Sequence, residues 1–206
     1  MSEPPLVEGE VAPELAREWP GLRIASMTFG FLPGPSPPEL RERLRLLSDR
    51  FRGPQAIALR RQPIPQAYRI FFRHIGIEPD EHRVPVEALA LERLQRGGFR
   101  SRNLLDDAIT IAVMETGVPV WALDAAAVDG ALRLRAAQAG EGVPAGRLVV
   151  AGADRPLAVV FGAVSPDAGV TERTREMVLF TVAVPGVPPI HVEEALWTVW
   201  DTVASD

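Results

Sequence analysis

The chain has no cysteine, no lysine, only three histidines, and no apolar run near the ~18 residues that a membrane-spanning helix needs. Without cysteine there is no disulfide frame, thiol nucleophile or zinc–thiolate site. All 22 cationic side chains are arginine, which excludes a Schiff-base lysine, a lysine general base and the lysine of a phosphate loop. Metal or imidazole chemistry rests on His74, His82 and His191 alone. The start, Met1-Ser2-Glu3-Pro4-Pro5, lacks the basic segment and apolar stretch of an export signal. The expectation is a soluble, cytoplasmic protein with no membrane partner.

What is present is enough for a sizeable core: 206 residues, 47% hydrophobic and 24% charged. Residues 1–20, rich in proline and acids, read as a loose lead-in with a short helix at Pro13 to Glu18, and residues 21–206 as a single domain. A net charge of -5 argues against a general nucleic-acid binder, DNA included. The charge is unevenly spread, however. Between Arg41 and Arg102 there are 14 arginines against 7 acids, a balance of +7, whereas the remainder holds 8 against 20, or -12. An RNA could touch the basic block and avoid the acidic one; arginines that solvate helix surfaces give the same count.

Leu22 to Phe31 reads as a first strand, closed by Leu32-Pro33-Gly34-Pro35. Ser36 then reads as the cap of a helix that starts at Pro37-Pro38 and carries Leu40, Leu44 and Leu47 on one face. Ile64 to Gly76 and Pro85 to Arg96 form two further helices, the second ended by Gly97-Gly98. Asn103 opens an apolar helix, Leu104 to Glu115, which stops at Gly117-Val118-Pro119. Strands follow at Val118 to Leu123, Ala131 to Ala136, Arg147 to Ala151, Leu157 to Val164 and Met177 to Val184, and a last helix runs from His191 to Val203. Helices first and strands second point to an α+β fold with helices packed on a mostly antiparallel, barrel-like sheet.

Several polar residues have local readings. Asn103 caps its helix, and Asp106 and Asp107 sit in the first turn where the dipole favours negative charge. Asp124 caps the Ala125-Ala126-Ala127 segment. Arg133 and Arg135, two apart on a strand, share one face suited to a carboxylate or phosphate. Glu141 after Gly140 reads either as a turn acid or as a group that orients water. His74, Glu78, Asp80, Glu81 and His82 match no metal-ligand spacing. The phosphate-loop, dinucleotide and nucleophile-elbow patterns are absent, so neither a metal nor a cofactor is expected.

An ordered set of landmarks runs from Pro20 to Thr174, within a stretch of similarity that covers roughly Val11 to Val203. It comprises Pro20-Gly21-Leu22-Arg23-Ile24, Ala67-Tyr68-Arg69, Gly76-Ile77-Glu78-Pro79 and Arg83-Val84-Pro85, then Asn103, Asp107, Pro119, Asp124, Gly130, Arg133, Arg135, Gly140, Glu141, Gly162, Val170 and Thr174. In this order and spacing the chain resembles the B3/B4 domain of the bacterial phenylalanyl-tRNA synthetase beta subunit, the module that hydrolyses wrongly charged tRNA. The resemblance implies helices beside a six-stranded barrel-like sheet and an RNA-related role. Editing sites of that family lie between two halves of the domain and orient water at a labile ester, which calls for orientation and oxyanion stabilisation and no nucleophile.

On that resemblance Arg100 falls at an editing-site arginine and Gly162 at a glycine that keeps the pocket open; Asn103 and Glu141 shape its polar wall. Two positions depart. Trp121 stands where the family has a histidine, and Phe180 where it has the carboxylate that recognises a substrate phenol. An apolar ring cannot accept the phenol's hydrogen bond, so tyrosine is disfavoured. The functional expectation is a freestanding domain that binds an aminoacyl-tRNA terminus and hydrolyses a mischarged ester in trans, using Arg100, Asn103 and Glu141, with Trp121, Gly162, Phe180, Arg133 and Arg135 lining the substrate. The alternative is a noncatalytic module that binds a free amino acid or related metabolite, or a protein partner.

Overall fold

The computed structural model describes residues 3–204; the outermost ends of the expected lead-in and domain, residues 1–2 and 205–206, lie outside the described residues. The chain divides into two compact units, one built from residues up to Leu32 together with Trp121–Pro185, the other from Pro33–Val120 and from Gly186 onward. Among the described residues, eight strands and one short α-helix belong to the first and six α-helices to the second. The α+β, mostly antiparallel character expected from the sequence is present.

The sheet unit is organised around β3 (Arg23–Gly30) and β8 (Glu176–Ala183), which pair antiparallel along their whole length from Arg23↔Ala183 to Gly30↔Glu176. Every residue of β8 after Glu176 is buried, which is why Met177 to Val184 reads as an apolar run interrupted only by Thr181, with no period of two. β1 (Val7–Glu8) and β4 (Trp121–Asp124) complete the order β1-β3-β8-β4. A second sheet has the order β2-β5-β6-β7, from β2 (Glu10–Val11), β5 (Arg133–Ala136), β6 (Leu148–Ala151) and β7 (Pro156–Val159). Its β2–β5 pair is parallel, the others antiparallel. The strands thus form two four-stranded sheets, and no closed barrel is found among the described residues.

Gly9 is where the chain leaves one sheet for the other. Its N–H donates to the Ile24 carbonyl, and the next N–H, of Glu10, donates to Leu132, both at 2.9 Å. A Cβ at Gly9 would stand 2.3 Å from the Leu132 carbonyl oxygen, so only glycine fits. The residues read as a lead-in therefore supply two strands, and helix α1 forms at Pro13–Glu18.

The helical unit contains α2 (Pro38–Arg50), α3 (Gly53–Leu59), α4 (Pro63–His74), α5 (Pro85–Arg96), α6 (Leu104–Thr116) and α7 (Pro189–Ala204). Proline stands at the first or second position of α2 to α5, where its missing N–H costs nothing. Gly97 and Gly117 end α5 and α6 in the left-handed conformation, both at φ +76°. α6 is the central element; it buries nine residues and packs against α7, α2 and α5. Tyr68, Phe71 and Phe72 of α4 are fully buried. Arg69 of the same helix is buried too, and its Nη1 donates to both oxygens of buried Glu87 at 3.2 and 2.9 Å, while its Nη2 donates to Asp80 at 2.9 Å. That pair joins α4 to α5. Removing either partner would strand a charge in the interior, at a cost of about 3–5 kcal/mol.

One cap expected from the sequence is not made. Ser36 does not cap α2, whose cap position is Pro37 without any side-chain hydrogen bond. The Ser36 hydroxyl is buried and donates instead to Asp107 Oδ2 at 2.6 Å.

Candidate functional site

In the helical unit the segment from Gly97 to Asn103 is held at Phe99, Ser101, Arg102 and Asn103. Phe99 N–H donates to the Ser48 hydroxyl at 2.6 Å. Ser101 Oγ donates to Asp107 Oδ2 at 2.6 Å, and Arg102 N–H to Asp107 Oδ1 at 2.9 Å. The Arg102 guanidinium pairs with Glu92 at 2.8 Å. Asn103 accepts the Asp106 N–H at 2.8 Å, the helix cap expected of it. Arg100, in the middle, is exposed and makes no hydrogen bond or ion pair with any described residue. A fixed backbone thus presents one uncommitted guanidinium, a donor fork suited to phosphate or carboxylate oxygens.

Asp107 organises this segment, and sequence reasoning missed it. It is 1% exposed and accepts from Ser36, Ser101 and Arg102, joining the turn before α2 to the segment before α6. Its neighbour Asp106 makes the local helix-start reading sufficient for both acids, and Ser36 lies 71 residues away. No local pattern exposes a contact of that range.

In the sheet unit Trp121 and Phe180 are directly paired across β4 and β8. Their rings stack at 5.7 Å and 18°, with Phe180 buried and Trp121 half-buried. Phe161, which the sequence reading passed over, adds a third ring 5.8 Å from Trp121 and tilted by 54°. Aromatic pairs at such distances contribute about 0.5–1.5 kcal/mol beyond the area they bury.

Phe161 stands in a turn. Leu157 to Val164 was expected as one strand, but β7 ends at Val159 and the chain reverses, with Gly162 N–H donating to Val159 O at 2.9 Å and Val159 N–H to Ala163 O at 3.0 Å. Phe161 is the only non-glycine residue with positive φ among those described, at +57°. For a bulky side chain that conformation costs about 1–2 kcal/mol. Gly162 follows because a Cβ there would meet Val159 Cβ at 3.0 Å, so its lack of a side chain serves this turn directly.

Glu141 and Arg135 form a bidentate pair at 2.8 and 2.6 Å, and Glu141 also accepts the Gln138 N–H at 2.7 Å. The Arg135 hydrogen bonds, with the Gln138 N–H second, hold the Glu141 carboxyl down at about 2, so it gains a proton only as pH falls toward that value. A carboxylate so acidic and so fully bonded is a weak proton acceptor. Arg133 faces Glu10 at 2.8 Å. The two arginines expected to offer a common anion site are each committed to a separate acid. Asp124 caps Ala125–Ala127 as expected, accepting the Ala126 N–H at 3.0 Å, and also accepts the Thr174 hydroxyl at 2.6 Å.

The structure therefore brings together Trp121 with Phe180, and Arg135 with Glu141, and leaves Arg100 without a partner among the described residues. Asp80 serves Arg69 and Arg60. Among the described residues no helix is long and apolar enough to cross a membrane.

No family model matches the chain. Over 100 residues, 43% of the chain, it is 33% identical to the phenylalanine–tRNA ligase beta subunit of Vibrio vulnificus (strain YJ016). Against the subunit of the same name from Pseudomonas syringae pv. syringae (strain B728a) it is 31% identical over 105 residues, 46% of the chain. The corresponding protein of Pseudoalteromonas translucida (strain TAC 125) is 31% identical over 101 residues, again 43% of the chain. The matches span 12 to 13% of the length of these relatives.

Proposed function

We propose that the chain is a tRNA-directed domain that engages the aminoacylated terminus of a tRNA and hydrolyses a mischarged ester in trans. The observation that carries this reading is the partial identity, 33% over 100 residues, with a subunit named for phenylalanine–tRNA ligation. Each unit, taken by itself, holds residues that fit it. Arg100, exposed and uncommitted on a fixed segment, stabilises charge that develops on the ester oxygen or holds the terminal phosphate. Asn103 and Glu141 shape polar surface and move no proton. Trp121, half-buried and backed by the buried Phe180 ring, presents the apolar surface for the amino-acid side chain, and Gly162 keeps the adjoining turn narrow. The ester is intrinsically labile, so orientation of water supplies most of what catalysis requires.

A second reading, a noncatalytic module for a free amino acid or related metabolite, is favoured by one specific observation. The acid best placed by sequence to act on water, Glu141, has both oxygens occupied by Arg135 and Gln138.

Release of amino acid from a panel of purified, deliberately mischarged tRNAs separates the two. The first reading expects hydrolysis of at least one member, and at least a tenfold lower rate for Arg100→Ala, given that a lost charge-stabilising donor costs about 10²–10³ in rate. No release across the panel would move the assignment to the binding module; release unchanged in Arg100→Ala would remove Arg100 from the chemistry.

A further inference from the structure

Within the helical unit a cavity of about 210 Å³ opens between α3 and α5. Its apolar lining comes from Ala56 and Ile57 of α3 and from Ala90, Leu91 and Leu94 of α5. The two alanines stop at Cβ and leave the space that a longer side chain would fill. α3 buries Leu59 alone, whereas Ile57 is 69% exposed and Leu94 is exposed as well. Covering such aliphatic surface is favourable by about 25 cal/mol for each Å² removed from water. Charge gathers at one end of the same cavity. Arg83 precedes α5 and Glu87 stands in its first turn, whereas Leu94 lies two turns further on, about 10 Å along the axis. Arg60 of α3 joins the charged end, its Nε 3.9 Å from Glu87. Glu87 is buried and already accepts both bonds from Arg69, and Arg60 also meets Asp80. Arg83, by contrast, is exposed and forms no hydrogen bond or ion pair among the described residues.

We infer that this cavity binds a small apolar monocarboxylate, a compound with an aromatic or branched aliphatic body and no ammonium group. The site shares no residue with the one proposed for the tRNA terminus and does not rest on that reading. Volume sets the size of the ligand. A cavity of about 150 Å³ holds a benzene ring, so this one accepts a single ring with a short chain. The body lies against Ile57, Leu91 and Leu94, and the carboxylate accepts hydrogen bonds from the unpaired Arg83 guanidinium. An ammonium group would face Arg60 and Arg83 with no carboxylate free to receive it, because Glu87 is engaged by Arg69. Amino acids are disfavoured by that repulsion, and neutral analogues by the missing ion pair.

Hydrocinnamate is the probe, titrated into the full isotope-labelled chain and followed by amide chemical shifts. Saturable shifts at Ala56, Leu91 and Leu94 are expected, with a Kd of about 1 mM, the affinity that a ligand of this size reaches. The neutral amide of hydrocinnamate and L-phenylalanine, titrated in parallel, are expected to bind about fivefold more weakly, the scale of one partly exposed ion pair. Arg83→Gln is expected to lose the same factor for hydrocinnamate and to bind the neutral amide like wild type. Ala56→Leu fills the cavity and is expected to abolish these shifts without lowering the midpoint of thermal unfolding. Should that variant unfold, Ile57→Ser at the exposed rim takes its place and is expected to weaken hydrocinnamate binding. No saturable shift at the three amides, or binding unchanged in a folded cavity variant, would overturn the site. Equal affinity for hydrocinnamate and its amide, or undiminished binding of hydrocinnamate by Arg83→Gln, would overturn the anionic end. L-phenylalanine bound as tightly as hydrocinnamate would overturn the exclusion of an ammonium group.

Discussion

Thr181 shows how a single side chain can carry a cost that only its surroundings reveal. It is wholly buried on β8, and its hydroxyl has no hydrogen-bond partner among the described residues. A buried, unmatched hydroxyl costs about 1–3 kcal/mol, and valine has nearly the same shape without the polar atom. Thr181→Val is therefore expected to raise stability by about 1 kcal/mol, read as a higher denaturant midpoint at unchanged slope. A lower midpoint would mean that the hydroxyl finds a partner in solution. Phe180 illustrates the same dependence on context. From sequence it reads as an apolar ring at a phenol-recognising position, and Phe180→Glu looks like a route to tyrosine recognition. In the structure that ring is 2% exposed and stacked on Trp121. A carboxylate there must be desolvated, at a cost of several kcal/mol, so the exchange perturbs folding before it alters selectivity. Asn103 and Asp124 were legible as caps because a cap depends on residues two or three positions away.

At the scale of elements, local signals located most helices and few contacts. α5 spans Pro85–Arg96, as its proline start and glycine stop indicate. α3 gives no clear signal in the sequence because it is only seven residues long and its first two, Gly53-Pro54, read as loop. The strand expected through Val164 was cut at Val159 by the turn at Phe161, whose positive φ no residue preference announces. Pairing was the least legible feature, since Trp121↔Phe180 and Glu10↔Arg133 join residues far apart in sequence. The start of α6 shows what such contacts hold. Asp107 takes three hydrogen bonds from two segments, so Asp107→Ala leaves the buried Ser36 hydroxyl and the Arg102 N–H without their acceptor. Hydrogen bonds to a charged group contribute about 1.5–3 kcal/mol each. A loss of at least about 2 kcal/mol is expected in denaturant unfolding, with faster amide exchange at Arg102 while the Ala112 amide, deep in α6, stays protected. Equal exchange of both amides in the native state would mean that Asp107 supports the helix as a whole and does not specifically fix the segment carrying Arg100.

For the whole molecule, net charge is misleading and its distribution is informative. The chain carries -5 overall, yet the stretch from Arg41 to Arg102 carries +7. Much arginine charge is neutralised internally: Arg45 bridges Glu42 and Asp49, Arg69 meets Glu87, and Arg43 meets Glu115. Arg41, Arg50, Arg61, Arg73, Arg83 and Arg100, all exposed in the helical unit, form no ion pair among the described residues. These are the groups available to phosphates, and the sequence alone could not separate them from the paired ones. If about four of them neutralise phosphates, a slope of about -0.7 to -0.9 per contact weakens binding roughly 50- to 150-fold between 50 and 200 mM salt. A free amino acid held in an apolar pocket has no such counterion term, and its affinity should change little over the same range. Titrating deacylated tRNA and free phenylalanine in parallel at both salt concentrations therefore distinguishes the two functional readings without any assay of turnover. A steep salt dependence for tRNA that becomes shallower by about one contact in Arg100→Ala places Arg100 on the RNA; salt-insensitive binding of phenylalanine, with tRNA unbound, establishes the small-ligand module.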